Sequence, residues 1–376
     1  MVRVFESCGW EYTVLRPLRQ TRQGGPVLLA ARRPYLGGET TAVELRPLPV
    51  TRETATSVKA RLAEELQLSK HLRSPHFGGV LGFAVSGERP YLVAEHVPGC
   101  SLESLINAAA LRGSKLSAGF AVAVAMAVAD ALDHAHHCRD EQGQPLRIVH
   151  RAVSPANIWI SRHGRVQLVN FAAAYSEWVG RQRTPPGLLR GDAAYSAPEV
   201  LRAFQAPRGR RVTARVPPDP RADLFSLGLV LLETLTAVHP LDPPDALEVG
   251  AGPRLAPNTR AETTPLIPLE LLAARLLRFG PGEVERAASR LPRQLHALLA
   301  RALQAEPAER YPSARAMAEE LRELMRGAWP HLGEAQVAAE AAQLLRAARK
   351  LHDPGAYGAL EDGVLPEPAD VPRSVS

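Results

Sequence analysis

The chain has 376 residues, 45% of them hydrophobic, which is enough for a two-lobed core plus a short appendage and too apolar for a disordered chain. Its 45 basic and 39 acidic residues leave a net charge of +6, yet only Lys59, Lys70, Lys115 and Lys350 are lysines and the arginines are dispersed. Without an aromatic-interleaved basic stripe this reads as a solvated surface, with no nucleic-acid partner expected; three widely spaced cysteines, Cys8, Cys100 and Cys138, suit a reducing, cytoplasmic setting and exclude a disulfide framework.

Residues 1–11 read as an N-terminal extension that lacks the apolar stretch of a signal peptide. Alternation then predicts strands over 11–18, 27–31 and 41–45, the last closed by Pro47 and Pro49. Val58, Leu62, Leu66, Leu68 and Leu72 lie at helical spacing before Ser74-Pro75, and two more strands follow over 80–85 and 91–97. This is a strand-rich first lobe, 12–97, of about five strands and one helix. Beyond Pro98-Gly99 the pattern turns helical, over 102–111, 117–137, 223–235, 294–303 and 314–325, with a short strand pair around 158–160 and 166–168. The run from Ala118 to Ala129 is apolar but shorter than the roughly 20 residues of a membrane span, so it reads as a buried helix and no membrane partner is expected. Segments 184–189, 206–219 with its four arginines, and 239–268 read as loops. Residues 327–376 read as a tail, one Ala-rich helix over 334–351 and then a Pro-rich disordered end.

Two segments carry the strongest chemical signal. Val149-His150-Arg151-Ala152-Val153-Ser154-Pro155-Ala156-Asn157 resembles the protein-kinase motif H-R-D-x-x-x-x-N, and Val169-Asn170-Phe171-Ala172 resembles D-F-G. Ala197-Pro198-Glu199, Asp219 to Gly228 and Pro307 to Ser313 resemble three further landmarks of the second lobe. In the first lobe, Glu65 before Ser74-Pro75 and the run Tyr91 to Val97 resemble the helix glutamate and the hinge. These motifs fall in family order over about residues 12–326. The chain is therefore identified as resembling a eukaryotic-type serine/threonine protein kinase domain of the bacterial kind: an α+β, bilobal fold with a second lobe over 98–326. The resemblance implies architectural roles for Asp223, which anchors the loop carrying His150 and Arg151, and for a Glu199–Arg310 ion pair. It implies nucleotide contacts from Gly25, Val27, Ala42, Ala94, Glu95 and Val97, the last two offering backbone groups to an adenine.

The departures concentrate in one pocket. The position of the phosphate-pairing lysine holds Glu44, which faces Glu65, two carboxylates where an ion pair belongs. Either the helix turns outward or Arg46, two residues along the same strand face, reaches in. Ala152 replaces the base aspartate, Ser154 the following lysine and Asn170 the metal-holding aspartate; Asn157 is retained. Of the glycine-rich loop only Gly25 falls on a glycine position, and Asp192 stands where the family has a threonine. Phosphoryl transfer needs metal ions, cations and a proton acceptor, so the expected function is a catalytically inactive pseudokinase. It would act as a signalling scaffold or allosteric partner of an active kinase or a signalling client, with no resident metal and at most weak ATP or Mg²⁺ binding. The alternative is a residual or unorthodox serine/threonine kinase.

Two further groups have two readings each. His134, His136, His137 and Cys138 could hold a metal, or simply terminate a helix. Arg151 could bind a phosphate added at Ser176 or Thr184, or pack structurally.

Overall fold

The computed structural model describes residues 3–20, 25–48, 55–87, 89–178, 189, 191–205, 217–241, 269–289 and 291–349. The first lobe is a curled antiparallel sheet with one helix. Its elements are β1 (Arg3–Ser7), β2 (Trp10–Gln20), β3 (Pro26–Pro34), β4 (Thr41–Pro47), α1 (Ala55–His71), β5 (Val80–Ser86) and β6 (Arg89–Glu95). The strand order is β1-β2-β3-β4-β6-β5. Inward alternation of β-branched and aromatic residues builds the small core of Tyr12, Ala30, Val43, Leu45, Ala84, Tyr91 and Val93. The sheet curls until its outer strands meet, and the Val85 N–H donates to Ser7 Oγ at 3.0 Å.

The first strand corrects the sequence expectation of an extension over 1–11 and of five strands. β1 pairs with β2 through a two-residue turn at Cys8-Gly9, with φ of 52° and 81°. Two positive φ values are what a tight hairpin of this hand requires. Phe5 then stacks on Tyr12 with ring centroids 5.1 Å apart.

The second lobe begins with β7 (Gly99–Ser101), α2 (Leu102–Leu111) and α3 (Ala118–His136), followed by β8 (Ile158–Ser161) and β9 (Val166–Leu168). β7, β8 and β9 form a three-stranded antiparallel sheet. The helices α4 (Pro198–Gln205), α5 (Arg221–Thr236), α6 (Leu269–Arg278), α7 (Pro281–Ala288), α8 (Arg293–Ala302) and α9 (Ala314–Ala328) complete it. α3 has the length and apolarity of a membrane span, but most of it is buried within the lobe. α5 is buried along nearly its whole length, whereas α3 buries its apolar residues and turns Asp130, Asp133 and His134 toward the surface. The three expected loops, 184–189, 206–219 and 239–268, lie largely outside the described residues, as does the expected disordered end.

The last helix, α10 (Glu334–Arg349), is part of the second lobe. Val337, Ala341, Leu345 and Ala348 share one face and are buried. Glu340 accepts both the Ser117 N–H and the Ser117 hydroxyl at 2.6 Å, at the start of α3. Gly164, at φ +88° in the β8–β9 turn, lies so close to the Glu334 carbonyl that a Cβ there would overlap it. If α10 is integral, Leu345→Ala should lower stability by about 2–5 kcal/mol in urea unfolding. A change below about 0.5 kcal/mol, the range of a surface substitution, would make the helix an appendage.

Candidate functional site

The site is built around the buried carboxylate of Asp223 in the first turn of α5. It accepts the backbone N–H groups of His150 and Arg151, both at 2.8 Å, and Nε2–H of His136 at 3.0 Å. Burial alone would raise its pKa; the His136 hydrogen bond, the neighbouring charges and the Arg151 N–H outweigh that and hold it below the usual carboxylate range. His150 is kept neutral by burial. Its Nδ1 accepts the Ala152 N–H at 3.2 Å, and its Nε2 faces the Val169 carbonyl at 3.2 Å, joining the two signature segments. Arg151 adopts φ +60° and donates to the Ala173 and Ala174 carbonyls at 2.7 and 2.8 Å. Its guanidinium is thus engaged with backbone, which favours the packing role over the phosphate-binding one.

The second support lies deeper in the lobe. Arg310, its side chain fully buried, makes a bidentate pair with Glu199 at 2.8 and 2.7 Å. Its remaining donors reach the Gln304, Ala305 and Arg221 carbonyls. The three histidines near the end of α3 go to separate partners: His134 packs on Phe77, His136 on Asp223 and His137 on Asp133. Among the described residues no cluster of His, Cys, Asp and Glu could hold a metal ion.

The residues at the metal positions bond to one another. Asn170 sits at φ +69°, a conformation asparagine tolerates well, and its Nδ2 donates to Asn157 Oδ1 at 3.1 Å. Asn157 Nδ2 in turn donates to the Ala152 carbonyl at 2.8 Å. A magnesium ion wants carboxylates in near-octahedral order, and here a neutral amide oxygen already accepts a protein hydrogen bond. Neither Ala152 nor the buried Ser154 supplies a base or a cation. These residues do not fit Mg²⁺ or a triphosphate.

Across the cleft, Glu44 and Glu65 are both buried, and of the two expected arrangements the structure has Arg46 turned in. Arg46 Nε lies 3.2 Å from Glu44 Oε2, and His96 Nδ1 lies 3.5 Å from Glu44 Oε1. Burial pushes the Glu65 carboxyl up to about 7; the Arg46 charge and the Phe171 N–H offset this only in part. Together Glu44, Arg46 and Glu65 line a cavity with Ser69, Phe77 to Val80, Ala94, Glu95, Val97, Trp159, Asn170 and Phe171. Its volume is about 40 Å³, against roughly 300–1,000 Å³ for ligand clefts. Gly25, Val27 and Ala42 are not among its lining residues. Trp159 was missed by sequence reading. Its signal was a tryptophan two places after Asn157, on a strand whose neighbours Ile158 and Ile160 face the core.

The family model described as protein kinase domain matches residues 49–322. "Tyrosine-protein kinase MasK" of Myxococcus xanthus is 30% identical over 308 residues, 81% of this chain and 42% of that protein. "Serine/threonine-protein kinase PknK" of Mycobacterium tuberculosis is 29% identical over 266 residues, 70% of this chain and 20% of that one. "Serine/threonine-protein kinase PksC" of Streptomyces coelicolor is 30% identical over 232 residues, 61% of this chain and 34% of that one. The chain spans less than half the length of each of these relatives.

The buried Glu65 makes stability depend on pH. Below the usual glutamate value of 4.5 the carboxyl is protonated in both folded and unfolded chain, and its contribution is intact. As pH rises through about 7 the folded carboxyl must ionise in an apolar setting, so stability falls. The total is on the order of 3 kcal/mol, at about 1.4 kcal/mol per pKa unit. Glu65→Gln stays neutral and should gain on the wild type between about pH 5 and 8 in chemical denaturation; parallel pH profiles would contradict this.

Proposed function

Since the chain belongs to the protein kinase domain family, we propose that it keeps the family's shape without its chemistry, as a catalytically inactive pseudokinase. Its output is then an interface: a signalling scaffold or allosteric partner for an active kinase or a signalling client in the same cytoplasm. One observation carries this reading. The Asn170–Asn157 hydrogen bond, with Ala152 beneath it, occupies the place where metal and base belong. Loss of a general base alone costs roughly 10²–10⁴ in rate. The missing metal charge and missing lysine act on the same transition state, so the losses do not simply add. A kinase turning over about once per second could lose only one such factor before its output became negligible. Meanwhile the buried Asp223 and the Glu199–Arg310 pair keep the loop and the lobe in order.

A second reading, a residual or unorthodox serine/threonine kinase, draws on one contact. Gly191 packs against the Arg151 carbonyl and Ala152, so the segment that carries Asp192 runs beside the lost base. That carboxylate already accepts the Ala194 N–H at 3.0 Å, which favours a capping role. The test uses labelled ATP, magnesium or manganese, and generic protein substrates. The pseudokinase reading expects no transfer from the wild type. Transfer that Ala152→Asp leaves unchanged and Asp192→Asn abolishes would establish the second reading instead.

A further inference from the structure

We propose that Trp159 occupies the purine place of the cleft and closes it to nucleotides from within. The inference deepens the pseudokinase reading and rests on it for the identity of the cleft. Along β8, Ile158 and Ile160 are fully buried in the lobe's core, and alternation turns Trp159 to the opposite side, toward the cleft. β8 is paired on both edges, with Ser101 opposite Trp159 on one side and Gln167 on the other, so the backbone that presents the indole is fixed. The indole has a single donor. It goes to the Val97 carbonyl at 2.9 Å, in the hinge segment whose backbone a bound adenine would use. An indole is a flat bicycle of a purine's shape, and it engages the hinge as an adenine does, by an N–H to a backbone carbonyl.

The surroundings agree with a plug. The small Ala94 leaves the back of the cleft open, and the cavity there has a volume of about 40 Å³, room for a few water molecules. Two carboxylates, Glu44 and Glu65, line that space; among the described lining residues Arg46 is the one cation, and it is already at Glu44. A nucleotide would have to expel a hydrogen-bonded indole and bring phosphates toward carboxylates. Trp159 thus decides which ligands the cleft admits: none with the indole in place, and a flat uncharged heterocycle once it is removed.

The test titrates adenosine, and ATP with and without magnesium, into the full chain and its Trp159→Leu variant, read by thermal shift and calorimetry. The wild type should show no shift with adenosine at millimolar concentration. Trp159→Leu should gain at least about tenfold in adenosine affinity, a difference well above measurement error, with ATP no better and magnesium without effect. Micromolar adenosine binding by the wild type, or a folded Trp159→Leu that binds no better, would overturn the proposal. Should that variant fail to fold, ¹⁵N-indole labelling of the wild type, with Trp159 assigned through Trp159→Phe, decides the matter. The Trp159 indole N–H should exchange slowly and stay in place when adenosine is added; fast exchange or an adenosine-dependent shift would overturn the plug. Adenosine carries no phosphoryl group, so its binding without label transfer would sink the plug alone, whereas transfer from ATP would sink the pseudokinase reading.

Discussion

The structure depends on one buried carboxylate. A charged group taken out of water costs several kcal/mol unless every lone pair finds a donor, and Asp223 finds the two backbone N–H groups of His150 and Arg151 together with His136. That requirement sets the path of the loop. The Ala152 N–H to His150 bond, the Arg151 contacts to the Ala173 and Ala174 carbonyls and the placement of Asn157 follow from it. None of these interactions needs a carboxylate at position 152 or 170. The loop therefore keeps its shape when the base is an alanine, just as the Glu199–Arg310 pair holds the far end of the segment whatever the cleft contains.

This separation explains how the fold and the site have diverged. A protein-kinase cleft is organised by charge: cations and metals on one side, a proton acceptor on the other. Here the polarity is reversed. Glu44 stands in the cation's place, Arg46 and His96 crowd onto it, and Glu65 is left to a desolvated position in which it favours its neutral form. At the metal positions two amides satisfy each other. Glu44 and Asn170 each find a local partner, so these changes are accommodated without loss of packing. The proposed role of the Trp159 indole would fit the same pattern, with protein in the space that a substrate would fill.

The parts of the fold that were legible in the sequence are those written at fixed spacing. The two signature loops, the Glu199 and Arg310 segments, the apolar α5 and the alternation of the first-lobe strands all depend on local neighbours. What was not legible depends on long-range geometry. β1 is five residues long and its turn uses Cys8-Gly9, not the Asn-Gly or Asp-Gly that marks such a hairpin in a sequence. The docking of α10 rests on Glu340 meeting Ser117 from more than two hundred residues away. Its alanine-rich composition suggested a helix but not its partner. Trp159 looked like one apolar residue in an apolar strand; only the register of β8 between β7 and β9 turns it to the hinge.

The central claim is that this cleft has lost the means to hold a metal-bound triphosphate. Titration calorimetry of ATP into the wild-type chain, with and without magnesium, tests it most directly. The account predicts at most a weak interaction that magnesium leaves unchanged, because Asn170 and Asn157 offer no carboxylate and Glu44 opposes the phosphates. Micromolar affinity that appears only with magnesium would contradict it.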